Sequence, residues 1–185
     1  MPNNNSITKF KDGFKGGSRP NRFEVEPAWP SKVAKPTDTS IKIISASLPQ
    51  AKINTIGIPY RGRTITYAGD RSYTPWTIGI YDDNNTLNLW KAFQNWKELL
   101  DGHYNHRVDS NDFDYSSLQT TWKVHQYDLN GTEKVRTIKL YKCWPNVVGE
   151  INLNMGETNF VAFNVSLTFD YMEISKGIGQ NNAQY

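Results

Sequence analysis

The sequence predicts an all-β chain with antiparallel pairing and one packed helix, on three observations. From Phe160 to Met172, Val161, Phe163, Val165, Leu167, Phe169 and Tyr171 alternate with Asn164, Ser166, Thr168 and Asp170, the period-2 pattern of a strand with one buried face. Asn130-Gly131 separates "TWKVHQYDL" from "TEKVRTIKLYKC", and Asn-Gly supplies the two positive-φ residues of a type I′ hairpin turn. One segment breaks the period: in "DDNNTLNLWKAFQNWKELLDG" the residues Leu89, Trp90, Phe93, Trp96, Leu99 and Leu100 recur at helical spacing.

The remaining elements follow in chain order. Residues 1–20, rich in Asn, Gly, Lys and Ser, bury too little apolar surface to offset their ordering entropy and form a flexible N-terminal arm. Strands are expected at Arg22–Glu26, Ser40–Ser47, Arg63–Tyr67, Thr74–Tyr81 and Gly149–Met155. The segment "RTITYAGDRSYTPWTIGIYDD" reads as strand, tight turn, strand, with Asp70-Arg71 at the turn. Asn84 or Asn85 is placed to cap the helix and Gly102 to end it. The polar run from His103 to Thr121 is longer than an ordinary connection in a compact domain. Residues 21–174 form the domain, and 175–185 form a second flexible tail.

Length and composition set the outer limits. A chain of 185 residues with 37% hydrophobic and 13% aromatic content supplies one well-packed core. The formal net charge of +3 comes from signs mixed along the chain, which does not indicate a surface that grips nucleic acid. With Cys143 as the single cysteine, an intramolecular disulfide is excluded and a reducing compartment suits the chain. No apolar run approaches the roughly 18 residues of a membrane span. The N-terminus lacks the apolar core of a cleavable leader, so a soluble product without a membrane anchor is expected.

Candidate chemistry is sparse. His103 and His106 with Asp101 suggest a metal site, but they lie on a polar loop without a rigid support, and the loop reading stands. His125 falls within a strand. Cys143, beside Trp144-Pro145, reads as a small buried hydrophobe with no His or Asn placed to activate it. Asp82-Asp83 points to opposite faces of a strand and sits where a helix N-terminus attracts acids. Gly62 and Gly69 belong to no phosphate-binding fingerprint. No catalytic residue, metal or cofactor is implied. The aromatics could build a platform for a sugar or a single strand, yet most fall at core-facing positions. The strand edges of such a module invite pairing with another chain.

Several stretches, in order, resemble the tail tube proteins of T4-like contractile-tailed phages: "SRPNRFEVE", "ISASLP", "IPYRGRTITYAGDRSYTPWTIGIYDD", "LWKAFQNWKELL" and "WPNVVGEINLNMGETNFVAFNVSLTFDYME". The resemblance spans about residues 18 to 174. It implies an antiparallel β-sandwich or partly closed barrel with one flanking helix. Six copies would form a ring with a continuous inner β-barrel, and rings would stack into a tube inside a contractile sheath. It implies no enzymatic activity. The implied partners are other copies, the sheath, the baseplate and the tail terminator, with double-stranded DNA passing non-specifically down the lumen. The protein would reside in the virion after assembly in the host cytoplasm.

In this resemblance the stretch from Leu48 to Arg71 corresponds to the strands and connecting loop that reach neighbouring subunits, and Asp70-Arg71 is implied to be an intersubunit or turn-locking ion pair rather than an active site. Leu48, Pro49, Ile58, Pro59, Tyr60, Arg61, Arg63, Asp70 and Arg71 are therefore the expected contact residues. The loop from His103 to Thr121 and the tail after Ile174 have no clear counterpart. The tube of a type VI secretion system or an R-type bacteriocin is the related alternative. A lectin-like sandwich is the alternative from another class, and it requires Trp and Tyr clustered on a solvent face.

Overall fold

The computed structural model describes residues 4–14, 16–83, 88–102, 115–156 and 158–176. Nine strands run in the order β1 (Phe23–Glu26), β2 (Ile43–Ala46), β3 (Ala51–Tyr60), β4 (Arg63–Tyr73), β5 (Trp76–Tyr81), β6 (Thr120–Tyr127), β7 (Lys134–Val148), β8 (Ala162–Thr168) and β9 (Tyr171–Lys176). Every strand pairing is antiparallel. The hydrogen-bonded path β1-β6-β7-β8-β5-β2, with β9 also on β7, folds into two layers. The N-terminal part of β7 lies between β6 and β9, and its C-terminal part pairs with β8. The layer change coincides with Lys142, at φ 58, where β7 carries one more residue than β6 between the pairs Trp122↔Leu140 and Thr120↔Cys143. Such a bulge bends a strand and increases its twist. Asp170 ties the bend, donating its N–H to the Tyr141 carbonyl at 3.1 Å and facing Lys142 at 3.4 Å.

The strong alternation near the C-terminus forms two strands in line. Phe163, Val165 and Leu167 of β8 are buried, as is Phe169 beyond it, and the break at Phe169-Asp170 separates β8 from β9. β9 continues pairing through Lys176, opposite Arg136, past the boundary expected at residue 174.

Helix α3 (Leu89–Leu100) buries Leu89, Ala92, Phe93 and Trp96. Its cap is Asn88, whose side chain accepts from the Lys91 N–H at 2.9 Å. Asn84 and Asn85 lie outside the described residues. Asp101, in extended conformation, ends the helix in place of Gly102. Helix α1 (Asn4–Phe14) lies within the segment expected to be a flexible arm. A single turn, α2 (Thr39–Lys42), replaces the start of the strand expected from Ser40.

Other differences have local causes. The β6–β7 hairpin forms, but its connection is wider than a two-residue turn, since Tyr127 pairs with Lys134. The Asp128 carboxylate accepts from the Thr132 and Glu133 N–H groups at 3.0 and 3.3 Å, and of Asn130-Gly131 only Gly131 has positive φ, at 77°. An acid that satisfies several loop N–H groups competes with the tight turn. Gly149–Met155 is not a strand; Leu153 and Met155 are exposed there. In the polar run, Tyr115–Leu118 forms a 3₁₀ turn anchored by Trp96, whose Nε1 donates to the Leu118 carbonyl at 2.8 Å. Residues 103–114 lie outside the described residues.

The core is aromatic. Trp29 packs on Phe93 and Trp96 with ring centroids 4.7 and 5.6 Å apart, and Trp122 meets Trp76 at 6.2 Å. Trp76, Trp96 and Trp122 are fully buried. All six Trp are buried or half-buried, so none is available for the solvent-facing Trp and Tyr cluster that a lectin-like reading requires. Trp122→Ala is expected to cost about 3–5 kcal/mol through lost burial and the cavity left behind. Guanidinium unfolding should show a lower midpoint with an unchanged slope.

Candidate assembly surfaces

The hairpin β3–β4 forms a two-stranded sheet of its own. Arg61 and Gly62, at φ 46 and 78, connect the pair Tyr60↔Arg63, the two positive-φ residues of a type I′ turn. At about 3.3 Å per residue the ribbon is roughly 33 Å long. Its two faces differ. Directly opposed residues share a face, so Ile56↔Tyr67, Ile58↔Ile65 and Tyr60↔Arg63 build an apolar side, while Thr55↔Ala68, Gly57↔Thr66 and Pro59↔Thr64 build the other. Ile58 and Ile65 are 49% and 45% exposed and Tyr67 is 57% exposed. A hairpin with an apolar face in water is marginal by itself, so this ribbon is built to be covered.

The expected contact residues fall largely on this ribbon. Ile58, Pro59 and Tyr60 lie in β3, Arg61 in the turn, and Arg63, Asp70 and Arg71 in β4; Leu48 is exposed and Pro49 half-buried just before β3. The turn expected at Asp70-Arg71 is not there, because β4 runs through both residues. They lie at a bulge in which Gly69 and Asp70 oppose the single residue Asn54, between Ile53↔Arg71 and Thr55↔Ala68. A Cβ at Gly69 would come within 3.0 Å of the Asn54 carbonyl oxygen, so glycine permits the close approach. Among the described residues neither Asp70 nor Arg71 has an ion-pair partner in the chain. The periodicity reading placed no strand over β3 and so left out Ile53 and Ile56, although the resemblance implied strands between Leu48 and Arg71. The alternation Ile56, Ile58, Tyr60 was the available signal, interrupted by Gly57 and Pro59, residue types that weaken a strand pattern.

A second surface is the outer face of the layer formed by β2, β5, β8 and the C-terminal part of β7. The segments "IISA", "WTIGIY", "AFNVSLT" and "CWPNVV" contain no Asp, Glu, Lys or Arg. Their outward residues include Ser45, Thr77, Gly79, Asn164 and Ser166, and the Thr77 and Ser166 hydroxyls lie 2.9 Å apart. A Cβ on Gly79 would collide with the Ser45 hydroxyl and crowd Asn164. The face is therefore flat as well as uncharged. Both flanks are open: β2 pairs only with β5, and residues 144–148 of β7 pair only with β8, among the described residues.

The other layer has the opposite character. Glu26 meets Lys123 at 3.0 Å and His125 at 3.3 Å, and Lys139 meets Glu173 at 3.5 Å. Hydrogen bonds from Lys123 and then His125 hold the Glu26 carboxyl below the usual range. The Tyr127 hydroxyl donates to Glu24, which pushes the phenol up to about 12.

The candidate chemistry resolves into structure. Cys143 is buried, and burial pushes its thiol up to about 12, far from a reactive thiolate. His125 is buried between Thr137, 2.9 Å from Nδ1, and Glu26. Asp83 pairs with Lys42, and desolvation raises the Asp82 carboxyl. Among the described residues no cluster of His, Cys, Asp and Glu could hold a metal; His103 and His106 lie outside them.

A two-layer β protein whose distinguishing features are open strand edges, an apolar ribbon and an uncharged face is of the self-assembling structural class. The family model described as "Phage tail tube protein" matches residues 18–175, and the chain belongs to that family, whose members are structural rather than enzymatic. It is 26% identical over 157 residues to tail tube protein gp19 of Enterobacteria phage T4, spanning 84% of this chain and 91% of the relative. It is 23% identical to a tail tube protein of Serratia phage KSP90, over 81% of this chain and 85% of the relative. Among solved structures, the tube-terminating cap of the anti-feeding prophage has the same fold at TM-score 0.62 and 14% identity, over 86% of this chain and 91% of the cap chain. A chain of the extended sheath–tube complex of an extracellular contractile injection system follows at TM-score 0.58 and 13% identity, over 95% and 99% of the two chains.

Ile58→Asp places a charge on the apolar face of the ribbon. The fold should lose no more than about 0.5 kcal/mol, as for an exposed site, while self-association should fall sharply. Thermal melting and sedimentation of the same sample measure the two effects.

Proposed function

We propose that this tail tube protein stacks as hexameric rings into the inner tube of a contractile tail, with the uncharged layer lining a channel for DNA. The observation that carries this reading is that layer: four strands, β7, β8, β5 and β2, without a charged residue in the segments that compose it and with an open edge on each flank. Joining β2 of one copy to residues 144–148 of the next would satisfy both edges and close a barrel, which removes the hazard of exposed edges. Rings then stack through a heterologous contact that grows a filament. The β3–β4 ribbon is long enough to reach beyond its own subunit, and its apolar face would be covered there.

The chemistry of the proposed wall suits passage without capture. Each Lys or Arg that neutralises a phosphate adds a salt-sensitive affinity increment, repeated in every subunit of every ring. A wall of Ser, Thr, Asn and Gly together with Tyr81 and Val147 adds none. The described basic residues lie outside these four segments, and Lys123 and Lys139 are paired with acids in the other layer. Solved relatives of the same fold were seen with a terminator, a baseplate or a sheath, which supports the same partners for this chain, assembled in the host cytoplasm. The match to the phage family favours a virion over the related secretion or bacteriocin tube.

Negative-stain electron microscopy of the purified protein should show rings and unbranched hollow tubes; a monomer at every concentration would overturn the reading. Ser166→Lys in assembled tubes should convert weak lumenal DNA retention into tight retention that declines steeply with salt. Equal retention by both proteins at low salt would place this face outside the channel.

Arg71→Glu sets two acids side by side in β4. The monomer should stay folded while tube growth fails, since unpairing a desolvated charge at an interface costs about 2–5 kcal/mol. Length distributions of tubes from both proteins are the measurement.

A further inference from the structure

Helix α1 lies outside residues 18–175 that match the family, and its surface is not that of a solvated arm. Ile7, Phe10 and Phe14 fall on one stripe at i, i+3 and i+7. They are 54%, 65% and 56% exposed, and the two Phe rings stack at 5.2 Å. Lys11 flanks the stripe, with Lys9 and Asp12 on the opposite side. A helix of 11 residues is shorter than an isolated helix needs for stability in water. This helix needs a surface to bind.

The same chain exposes a complementary surface. Between β1 and the α2–β2 segment lies a cleft of about 770 Å³, with Phe23, Val25, Ile41, Ile43 and Ile44 among its lining. Ile41 is 83% exposed. Glu24 is the single charged side chain on its wall, opposite in sign to Lys11. The lengths agree: β1 spans about 13 Å at 3.3 Å per residue, and α1 spans about 16 Å at 1.5 Å per residue. The β3–β4 ribbon, at roughly 33 Å, exceeds the cleft.

We infer that the apolar stripe of α1 seats in the β1/β2 cleft of a neighbouring copy, an inter-subunit clasp added outside the matched tube fold. Within one chain the stripe does not fill this cleft, since Ile7, Phe10 and Phe14 stay more than half exposed; Gly16 and Gly17, at φ 82 and 68, form the connection to the domain. The Gly17 N–H donates to the Phe14 carbonyl at 2.9 Å, and a Cβ on Gly16 would come 3.0 Å from Leu129 at the β6–β7 tip. The cleft also borders the β2 edge at which the proposed ring places the next subunit, so this inference rests on the tube reading.

The test uses two full-length chains, F10C and I41C, co-assembled and mildly oxidised; the buried Cys143 is not available to compete. A disulfide-linked dimer containing one of each chain, formed in tubes and absent from dilute unassembled protein, is the expected result. Phe10→Asp should raise the concentration needed for tube growth about tenfold or more, the loss of one buried aromatic anchor. Tubes without the mixed dimer overturn the clasp and leave the tube reading standing. So does efficient bonding within the double variant F10C/I41C in unassembled protein, or an I58C chain linking to I41C in place of F10C. Absence of tubes from the unmodified chain, imaged beforehand, overturns both.

Discussion

Strand β7 is hydrogen-bonded into both layers, and the arrangement of everything else depends on the bend that lets it do so. Lys142 at positive φ is a conformation that costs an L-residue about 1–2 kcal/mol. It persists because β6, β9 and β8 fix the backbone on either side and Asp170 holds the corner. The bend sets the two layers face to face around the Trp29, Phe93, Trp96 and Trp122 cluster, which α3 seals.

From that geometry follows a separation of chemistry. Residues before the bend in β7, with β6, β1 and β9, carry the charges and cross-strand ion pairs. Residues after the bend join the uncharged layer. Exposed ion pairs contribute little to stability, so the charged layer is better understood as a solvated exterior. The uncharged layer keeps Ser, Thr and Asn outward while its inner side supplies Trp76, Ile78, Ile80, Val165 and Leu167 to the core. One strand thereby belongs to a charged layer at one end and to an uncharged layer at the other.

The monomer also presents surfaces that a free protein has reason to avoid: open edges on β2 and β7, an apolar ribbon and an apolar helix stripe. Natural β proteins blunt such edges with charge, proline or cover. Here the edge segments of the uncharged layer carry no charge, and Pro145 faces the core. A surface of this kind fits subunits that are completed by neighbours.

Local periodicity in the sequence determined the antiparallel β class and the buried faces of β8 and α3, because alternation at period 2 or 3.6 selects a face without reference to the rest of the chain; Asn130-Gly131 located the β6–β7 hairpin but not its turn. The burial of Cys143 was legible from its residue type and its Trp144-Pro145 neighbours. What only the tertiary structure decided depends on partners distant in sequence. Asp70-Arg71 sits within a strand because β3 pairs alongside it, and Gly57 and Pro59 disguised β3. Gly149–Met155 stays irregular despite its alternation, because its apolar residues Leu153 and Met155 meet no buried face. The uncharged layer was dispersed over four segments between Ile43 and Thr168, and only the bend of β7 brought them into one wall.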